Sequence, residues 1–422
     1  MKTISVAAFA AIVCAFAQPA AAQAGTFKEQ VLYSFCTELG CTDGQNPYAG
    51  VIDVKGTLYG TTVNGGEEED TGTVFSINLS TGAETVVHAF TGDRVDGYGP
   101  EAGLIDVNGT LYGTTCCGGT FGGGILFALN PNTGAETVLY SFCSRYKRRD
   151  CEDGDYPVAS LIDVKGKLYG TTEYGGRVKA CDINRYGCGT VFSVDRDTGA
   201  EKVLYSFTGG TDGAYPTANL INVDGTLYGT TRYSGPSGGG TAFALDPGTG
   251  AMTVLHAFGG STDGFFPVAG LIDVNGLLYG TTEWGGAHGG GTIFSLDPNT
   301  DAETVLYSFC PTGFPCADGE VPAASLTYVN GTFYGTTYMG GGTGCDGSGC
   351  GTAFAFDANT GAETALYSFC DQQNSDNCPG GVSPSANLID VGGRLYGTTV
   401  YAGHDCANYC DGTVFSLKEK RR

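Results

Sequence analysis

Basic residues and long apolar runs are scarce in this sequence. Its 422 residues include 21 Lys and Arg against 44 Asp and Glu, for a formal net charge of −23. Because Lys and Arg supply most of the attraction to phosphate, this balance argues against DNA, RNA or an anionic membrane as a partner. No apolar run beyond the N-terminus approaches the roughly 18 residues of a membrane-spanning helix, so we expect no membrane span. Only 15% of residues are charged, while 71 are Gly, 24 Tyr and 23 Phe, which is unlike a helix-rich protein.

The N-terminal segment has the features of a secretory signal. A basic residue precedes an apolar run over residues 4–17, and small residues follow as far as Ala24. This order predicts a signal peptide, residues 1–24, and a mature chain, residues 25–422. A lipid-modified Cys14 is the weaker alternative, because valine precedes it where a small residue is expected. We expect a secreted or periplasmic protein, with association with the cell surface left open.

The tetrapeptide Tyr-Gly-Thr-Thr recurs at intervals of 51 to 62 residues, which is typical of a repeat protein. Its copies begin at Tyr59, Tyr112, Tyr169, Tyr228, Tyr279, Tyr334 and Tyr396. Each repeat has four short segments rich in β-branched and aromatic residues, for example 104–107, 292–296 and 304–309. Such segments, bounded by turn residues, predict β-strands. Asn108-Gly109 is typical of the tight hairpin that joins the first strand to the second.

Four antiparallel strands per repeat can stack as a solenoid or close into a propeller, and the chain ends decide between them. Residues 31–35 look like a fourth strand alone, and residues 413–417 look like a third strand that lacks its fourth. If they pair, they complete one blade and remove an exposed sheet edge. We therefore predict an all-β fold: one seven-bladed β-propeller of four-stranded antiparallel blades, closed by the N-terminal strand.

The repeat unit is long enough to resemble a known family. LIDVNGTLYGTT, a Gly-Gly loop and a GTxFSLDPxTGAETVLYSF segment together resemble the GloVer tandem repeat of bacterial surface and secreted proteins. The likeness extends over nearly all of residues 28–417. It implies a propeller architecture and an exported location. It implies no activity and no functional residue.

Loop lengths distinguish the two faces of the predicted propeller. The first-to-second and third-to-fourth turns are short and uniform. The second-to-third and fourth-to-first loops vary and share the other face, here called the variable face. Binding residues concentrate on variable loops held by a rigid scaffold, so we expect any function there.

All 16 cysteines of the mature chain fall in loops of the variable face, as close neighbours in sequence. In an exported chain this arrangement predicts local disulfides, with metal binding as the weaker alternative. The neighbours are Cys36/Cys41, Cys143/Cys151, Cys181/Cys188, Cys310/Cys316, Cys345/Cys350, Cys370/Cys378, Cys406/Cys410 and Cys116/Cys117. The adjacent Cys116 and Cys117 can also be free thiols or bond to a neighbouring loop.

An Asp-Gly pair recurs in six of the seven fourth-to-first loops. These aspartates are Asp43, Asp96, Asp153, Asp212, Asp263 and Asp318. We expect them to stabilise turns, because Asp before Gly accepts a nearby backbone N–H. The alternative is a ring of carboxylates at the channel mouth that binds calcium. No other cofactor is expected. His88 and His256 replace Tyr in fourth strands, and we expect them to be packed side chains.

Aromatic residues that do not recur between repeats are the candidate ligand contacts. They lie in the variable loops, with a histidine nearby: Tyr174, Tyr233, Trp284, Tyr338, Tyr401 and His288. Exposed rings beside glycines can stack on a sugar or a partner protein, or can simply cover their own loops. We predict a monomeric, non-catalytic binding module for a neutral glycan or another protein. The alternative is a glycan hydrolase or lyase with acidic residues near the channel mouth. No catalytic residue can be assigned from the sequence.

Overall fold

The computed structural model describes residues 27–67, 70–147, 150–177, 181, 187–370, 378–401 and 412–420. These residues form β-strands and a single 3₁₀ turn at Cys345–Gly347. The strands are β1 (Phe27–Ser34), β2 (Ile52–Val54), β3 (Thr57–Thr62), β4 (Thr73–Asn78), β5 (Glu84–Ala89), β6 (Gly97–Tyr98), β7 (Ile105–Val107), β8 (Thr110–Thr115), β9 (Cys117–Gly118), β10 (Ile125–Leu129), β11 (Glu136–Ser141), β12 (Tyr146–Lys147), β13 (Asp150–Cys151), β14 (Ile162–Val164), β15 (Lys167–Thr172), β16 (Thr190–Asp195), β17 (Glu201–Ser206), β18 (Ile221–Val223), β19 (Thr226–Thr231), β20 (Thr241–Leu245), β21 (Met252–Ala257), β22 (Ile272–Val274), β23 (Leu277–Thr282), β24 (Thr292–Asp297), β25 (Ala302–Ser308), β26 (Thr327–Val329), β27 (Thr332–Thr337), β28 (Thr352–Asp357), β29 (Ala362–Ser368), β30 (Ile389–Asp390), β31 (Leu395–Thr399) and β32 (Thr413–Glu419). Within this part of the chain, no helix is long and apolar enough to cross a membrane.

Seven four-stranded antiparallel sheets form the blades of a propeller, as the repeats predict. Blade I contains β2 to β5, and blade II contains β7, β8, β10 and β11. Blades III, IV, V and VI contain β14–β17, β18–β21, β22–β25 and β26–β29, and blade VII has the order β1-β32-β31-β30. The first strands of neighbouring blades approach one another around the central axis.

The N-terminal strand closes the ring. β1 pairs with β32 in an antiparallel ladder in which Phe27 lies opposite Glu419 and Val31 opposite Phe415. This confirms the predicted pairing of the chain ends. The fourth strand of blade VII is thus supplied from the other end of the chain, and this blade has four strands like its neighbours.

Tight turns join the first and second strands in the way the sequence predicts. Asn108 and Gly109 have φ values of +56° and +85°, and Asn330 and Gly331 have +49° and +94°. Two consecutive positive φ values match the right-handed twist of the flanking strands. Asp106 supports its turn by accepting a hydrogen bond from the backbone N–H of Gly109 at 2.9 Å. These turns keep the first face of the propeller short and uniform.

The hydrophobic core lies between the blades. Each third strand contributes a fully buried phenylalanine, for example Phe75 and Phe127. Phe75 meets Phe35 of the preceding blade edge-on at 4.9 Å, and Phe127 meets Phe90 at 5.4 Å. The glycine of each Tyr-Gly-Thr-Thr makes room for this ring. A Cβ at Gly60 would lie 2.5 Å from Phe75 Cζ. The repeated motif therefore encodes the contact between neighbouring blades.

Candidate functional site

The two sets of variable loops meet on one face of the propeller, as predicted. The loop that enters a blade forms an isolated bridge with the residue two positions after Tyr-Gly-Thr-Thr, for example Ala214 with Tyr233 and Phe265 with Trp284. These bridges hold each incoming loop against the second-to-third loop of the same blade. The variable face is consequently a paired scaffold on which side chains have defined positions.

A repeated backbone conformation directs one side chain per blade on this face. Tyr156, Tyr215, Phe266 and Val321 have φ values of +63°, +57°, +63° and +61°. Positive φ is uncommon for such residues, so the surrounding structure must impose it. In blade IV, the carbonyl of Tyr215 accepts a hydrogen bond from the N–H of Arg232 at 3.0 Å. The same bond recurs in the other blades and holds the strained residue in place.

A cavity of about 120 Å³ lies on the axis, lined by segments from all seven blades. The residue at one repeated position in each lining segment is small or carries an amide: Gly50, Gly103, Ser160, Asn219, Gly270, Ser325 and Asn387. Ser325 Oγ accepts a hydrogen bond from Gly270 N at 2.9 Å and donates one to Asn219 Oδ1 at 3.3 Å. The channel is therefore narrow and lined by neutral hydrogen-bonding groups, and Glu101 is the carboxylate among its lining residues.

A continuous row of aromatic rings crosses blades III to V on the variable face. Tyr156, Tyr174, Tyr215, Tyr233 and Phe266 form this row, here called the aromatic arc, and all five are half-buried. Successive ring centroids are 5.5, 5.6, 5.9 and 4.8 Å apart. The two central contacts are edge-on and the two outer ones are tilted, and part of each ring remains accessible. Sequence analysis identified Tyr174 and Tyr233 but missed the other three, which precede prolines in consecutive repeats.

The remaining predicted aromatic residues lie at other points of the same face. Tyr401 and Tyr48 share a hydrogen bond between their hydroxyls at 2.9 Å, and Tyr338 also interacts with Tyr401. Trp284 is half-buried next to the arc, where its backbone pairs with Phe265. His288 is exposed farther along the same loop. The structure thus divides the predicted set between the arc side and the blade VII side of the mouth.

Charged side chains accompany the arc at the position immediately after Tyr-Gly-Thr-Thr. Arg232 donates a hydrogen bond to Glu283 at 3.2 Å, and its guanidinium lies 5.2 Å from the centre of the Tyr233 ring. Burial raises the pKa of Glu173 and of Glu283, and the Arg232 charge opposes this shift in both. This row, Glu173–Arg232–Glu283, was missed because its members belong to three different repeats. One sequence feature could have identified it: the residue immediately after the invariant Tyr-Gly-Thr-Thr differs between repeats.

Glu101 forms a second polar group at the channel mouth. Its Oε1 accepts a hydrogen bond from the Tyr156 hydroxyl at 2.9 Å, which links it to the end of the arc. Burial raises the pKa of Glu101. The Cys116 and Cys117 sulfurs lie nearby, 2.7 Å from each other, and are free thiols in this structure. The mouth therefore combines aromatic, acidic and cationic groups from several blades.

The six repeated aspartates lie away from the central cavity. Asp153 accepts hydrogen bonds from the Tyr140 hydroxyl at 2.6 Å and from Ser144 N at 2.9 Å. Asp318 accepts one from the Tyr307 hydroxyl at 2.8 Å. Each carboxylate caps the end of a fourth strand at a junction between blades. A shared calcium site requires several of these carboxylates to lie close together at the channel mouth. The structure does not bring them together there.

Disulfides fix the variable loops locally. Six of the predicted pairs are bonded: Cys36–Cys41, Cys143–Cys151, Cys181–Cys188, Cys310–Cys316, Cys345–Cys350 and Cys370–Cys378. Cys406 and Cys410 lie outside the described residues, as does the predicted signal peptide. These six bonds are local disulfides within loops of the variable face, whereas the predicted neighbours Cys116 and Cys117 are not bonded to each other.

Comparison with known families agrees with the repeat pattern. The model of the Gloeobacter/Verrucomicrobia repeat matches residues 20–187 and 182–348. This chain is a propeller built from tandem repeats. It belongs to the Gloeobacter/Verrucomicrobia repeat family, the family that the sequence resembles. No curated protein matches the chain.

Several solved structures share the fold at low sequence identity. An oligogalacturonate lyase in complex with manganese is 13% identical with a TM-score of 0.53, and the match covers 94% of this chain and 97% of the lyase. The extracellular domain of a one-component system from B. thetaiotaomicron is 11% identical with a TM-score of 0.53, covering 92% of this chain and 42% of that one. The quinohemoprotein alcohol dehydrogenase from Comamonas testosteroni is 14% identical with a TM-score of 0.52, and the match covers 94% of this chain and 76% of the dehydrogenase. These similarities concern the fold alone.

Proposed function

We propose that the protein is an exported binding module whose aromatic arc binds a neutral oligosaccharide. The row of half-buried rings from Tyr156 to Phe266 is the observation that carries this proposal. The C–H face of a pyranose stacks on aromatic rings, and neighbouring polar groups bind its hydroxyls. Glu173, Arg232 and Glu283 lie beside the arc and supply donors and acceptors for this purpose.

The charge of the site favours a neutral ligand. Arg232 is already paired with Glu283, and the chain carries a large excess of acidic groups, so an anionic sugar would be repelled. The disulfides support an oxidising compartment outside the cytoplasm. The bonded loops also hold the rings in place before binding, which reduces the entropy lost when a ligand orders them.

The experiment is calorimetric titration of the mature protein with neutral gluco-, manno-, xylo- and chito-oligosaccharides. The test variant is Tyr215→Asn, because blade I has Asn46 at the same position with φ +56°. The variant removes a central ring of the arc while keeping a residue that tolerates this backbone conformation. We expect binding to weaken about tenfold, which corresponds to about 1.4 kcal/mol. Trp284→Ala tests the edge of the arc.

The matched control is Tyr328→Ala. Tyr328 is 42% exposed and precedes the Asn330-Gly331 turn on the opposite face. Its removal should leave binding unchanged. Equal affinity of the Tyr215→Asn variant and the parent protein would refute the arc as the binding site. Binding of a protein instead of any oligosaccharide would favour the other ligand class expected from the sequence.

A glycan hydrolase or lyase is the second candidate, because Glu101 and Glu173 are half-buried carboxyls with raised pKa values at the channel mouth. A raised pKa suits a general acid near neutral pH. The assay is release of reducing ends or of unsaturated products from the same oligosaccharides. Turnover that is lost in Glu173→Gln but retained in Glu419→Gln, an exposed glutamate, would establish catalysis.

A further inference from the structure

The junctions between blades contain a recurring set of side chains that the mouth of the channel does not use. Six of the seven junctions combine an aromatic residue at the end of a fourth strand with an aspartate of the following loop, and most junctions also have a glutamate of the next fourth strand. In the junction between blades II and III these are Tyr140, Asp153 and Glu201. The tyrosine hydroxyl donates to the aspartate at 2.6 Å there and at 2.8 Å between Tyr33 and Asp43.

The junction between blades I and II departs from this pattern. His88 takes the place of tyrosine, and its Nε2 is 3.8 Å from Asp96 Oδ2. Glu136 completes the set, and one ligand atom from each of the three residues lies within 4.8 Å of the other two. At this distance His88 makes no direct hydrogen bond to Asp96, and a gap bounded by one nitrogen and two carboxylates takes the place of that bond.

Two polar atoms of this group are buried without a hydrogen-bond partner. They are His88 Nε2 and Glu136 Oε1. Asp96 keeps its position through hydrogen bonds from Thr91 N at 2.8 Å and Gly97 N at 2.9 Å. The corresponding Oε1 is also unpaired in other junctions, for example in Glu201 and Glu363, so the unpaired His88 Nε2 is what distinguishes this group. Buried polar atoms are nearly always satisfied, so this nitrogen requires a partner.

We propose that His88, Asp96 and Glu136 bind a divalent transition-metal cation such as Zn²⁺ between blades I and II. One imidazole and two carboxylates are a donor set that zinc accepts, and water can supply the fourth ligand. Ligand atoms of a tetrahedral zinc lie about 3.3 Å apart, so small side-chain shifts suffice. The backbone of Gly134 also makes a hydrogen bond with the His88 ring and orients it.

The cation would connect the fourth strands of two adjacent blades. His88 belongs to β5 of blade I and Glu136 to β11 of blade II. Bound metal therefore resists separation of these blades at a site remote from the channel mouth. This role is independent of the proposed oligosaccharide binding.

A second histidine junction provides an internal control. Between blades IV and V, His256 Nε2 is 3.3 Å from Asp263 Oδ2, close enough for a direct hydrogen bond. Glu303 is the corresponding glutamate, and its charge interacts with Asp263. Among the described residues, only the His88 group has its three ligand atoms within 4.8 Å of one another. The same residue types thus occur in two geometries, of which one leaves room for an ion.

The test is titration of Zn²⁺ into chelator-treated, full-length mature protein at pH 7.5, followed by calorimetry and thermal melting. His88→Tyr restores the residue that five other junctions have, and Glu136→Gln keeps the shape of the side chain. We expect each variant to lose one molar equivalent of bound Zn²⁺ and the associated rise in Tm. His256→Tyr should retain both.

Two results would overturn the proposal. The first is an unchanged zinc stoichiometry in His88→Tyr, which would assign the bound metal elsewhere, for example to the Cys116 and Cys117 thiols. The second is the absence of zinc binding at 100-fold molar excess, which would show that a proton shared by His88 and the two carboxylates occupies the junction. Thermal melting of each variant without metal verifies that it is folded.

Discussion

The glutamate of the junction between blades V and VI makes the stability of the propeller depend on pH. Glu363 lies in β29 with its Oε1 buried and without a hydrogen-bond partner. The Tyr307 hydroxyl is 3.5 Å from its other oxygen but donates to Asp318 at 2.8 Å. Burial, and then the Asp318 charge, raise the pKa of Glu363 from 4.5 to about 8. The folded chain therefore holds a proton that the unfolded chain releases.

The sign of the effect follows from proton binding. Between pH 4.5 and pH 8 the folded state binds more protons than the unfolded state, so the free energy of unfolding decreases as pH rises. One pKa unit corresponds to about 1.4 kcal/mol, and after allowance for residual solvent the loss by pH 7.5 is about 2 to 4 kcal/mol. Glu363→Gln imitates the protonated form and should recover this amount at pH 7.5. The gain corresponds to a Tm increase of about 2 to 5 °C for a chain of this size.

Scanning calorimetry of the parent protein and of Glu363→Gln at pH 5 and pH 7.5 measures the effect. We expect the two proteins to melt at nearly the same temperature at pH 5 and to differ at pH 7.5. Glu419→Gln removes an exposed glutamate and should change neither value. A difference that is equal at both pH values, or a less stable variant at pH 7.5, would refute the role of the buried proton.

Three further predictions concern the scaffold. Deletion of residues 25–34 removes β1 and should cause association of the protein through the open edge of blade VII. Light scattering measures this association, and an added peptide of residues 25–36 should reverse it. Gly60→Ala should lower the free energy of unfolding, measured with urea, by about 1 to 3 kcal/mol, because its Cβ would contact the Phe75 ring. Gly82 lies in open space with φ +74°, so Gly82→Asn should lower it by less than about 1 kcal/mol. Replacement of Cys310 and Cys316 by alanine should lower the free energy of unfolding by about 2 kcal/mol in the same assay without loss of the propeller, and reducing agent should have no further effect at this loop.

The repeated features of the fold could be predicted from the sequence because their motifs recur from repeat to repeat. The Tyr-Gly-Thr-Thr motif gives the blade count, and the unmatched segments at the two ends predict the pairing of residues 31–35 with residues 413–417, which the structure has as β1 beside β32. Local disulfides follow from cysteines that lie close together in one loop. In these cases the interacting residues are near in sequence or belong to equivalent positions of the repeat.

The site is harder to predict because its members occur once each. Glu173, Arg232 and Glu283 become neighbours only when blades III, IV and V are placed side by side. The expectation that His88 is a simple packed side chain was likewise incomplete. Its edge contact with Phe90 at 4.9 Å is a packing contact, but its Nε2 faces two carboxylates from other elements. Interactions between blades that are made by residues occurring only once have no repeated pattern in the sequence.

The pairing of β1 with β32 also constrains the order in which the molecule can assemble. A ribosome makes Phe27–Ser34 long before Thr413–Glu419, so the synthesis of six complete repeats separates the two partners of this ladder. Six blades can form as each repeat is completed, whereas the seventh has to wait until β32 has been made. Until then the earliest strand has an unpaired edge, and only its arrival beside the latest strand converts an open arc of sheets into a closed molecule.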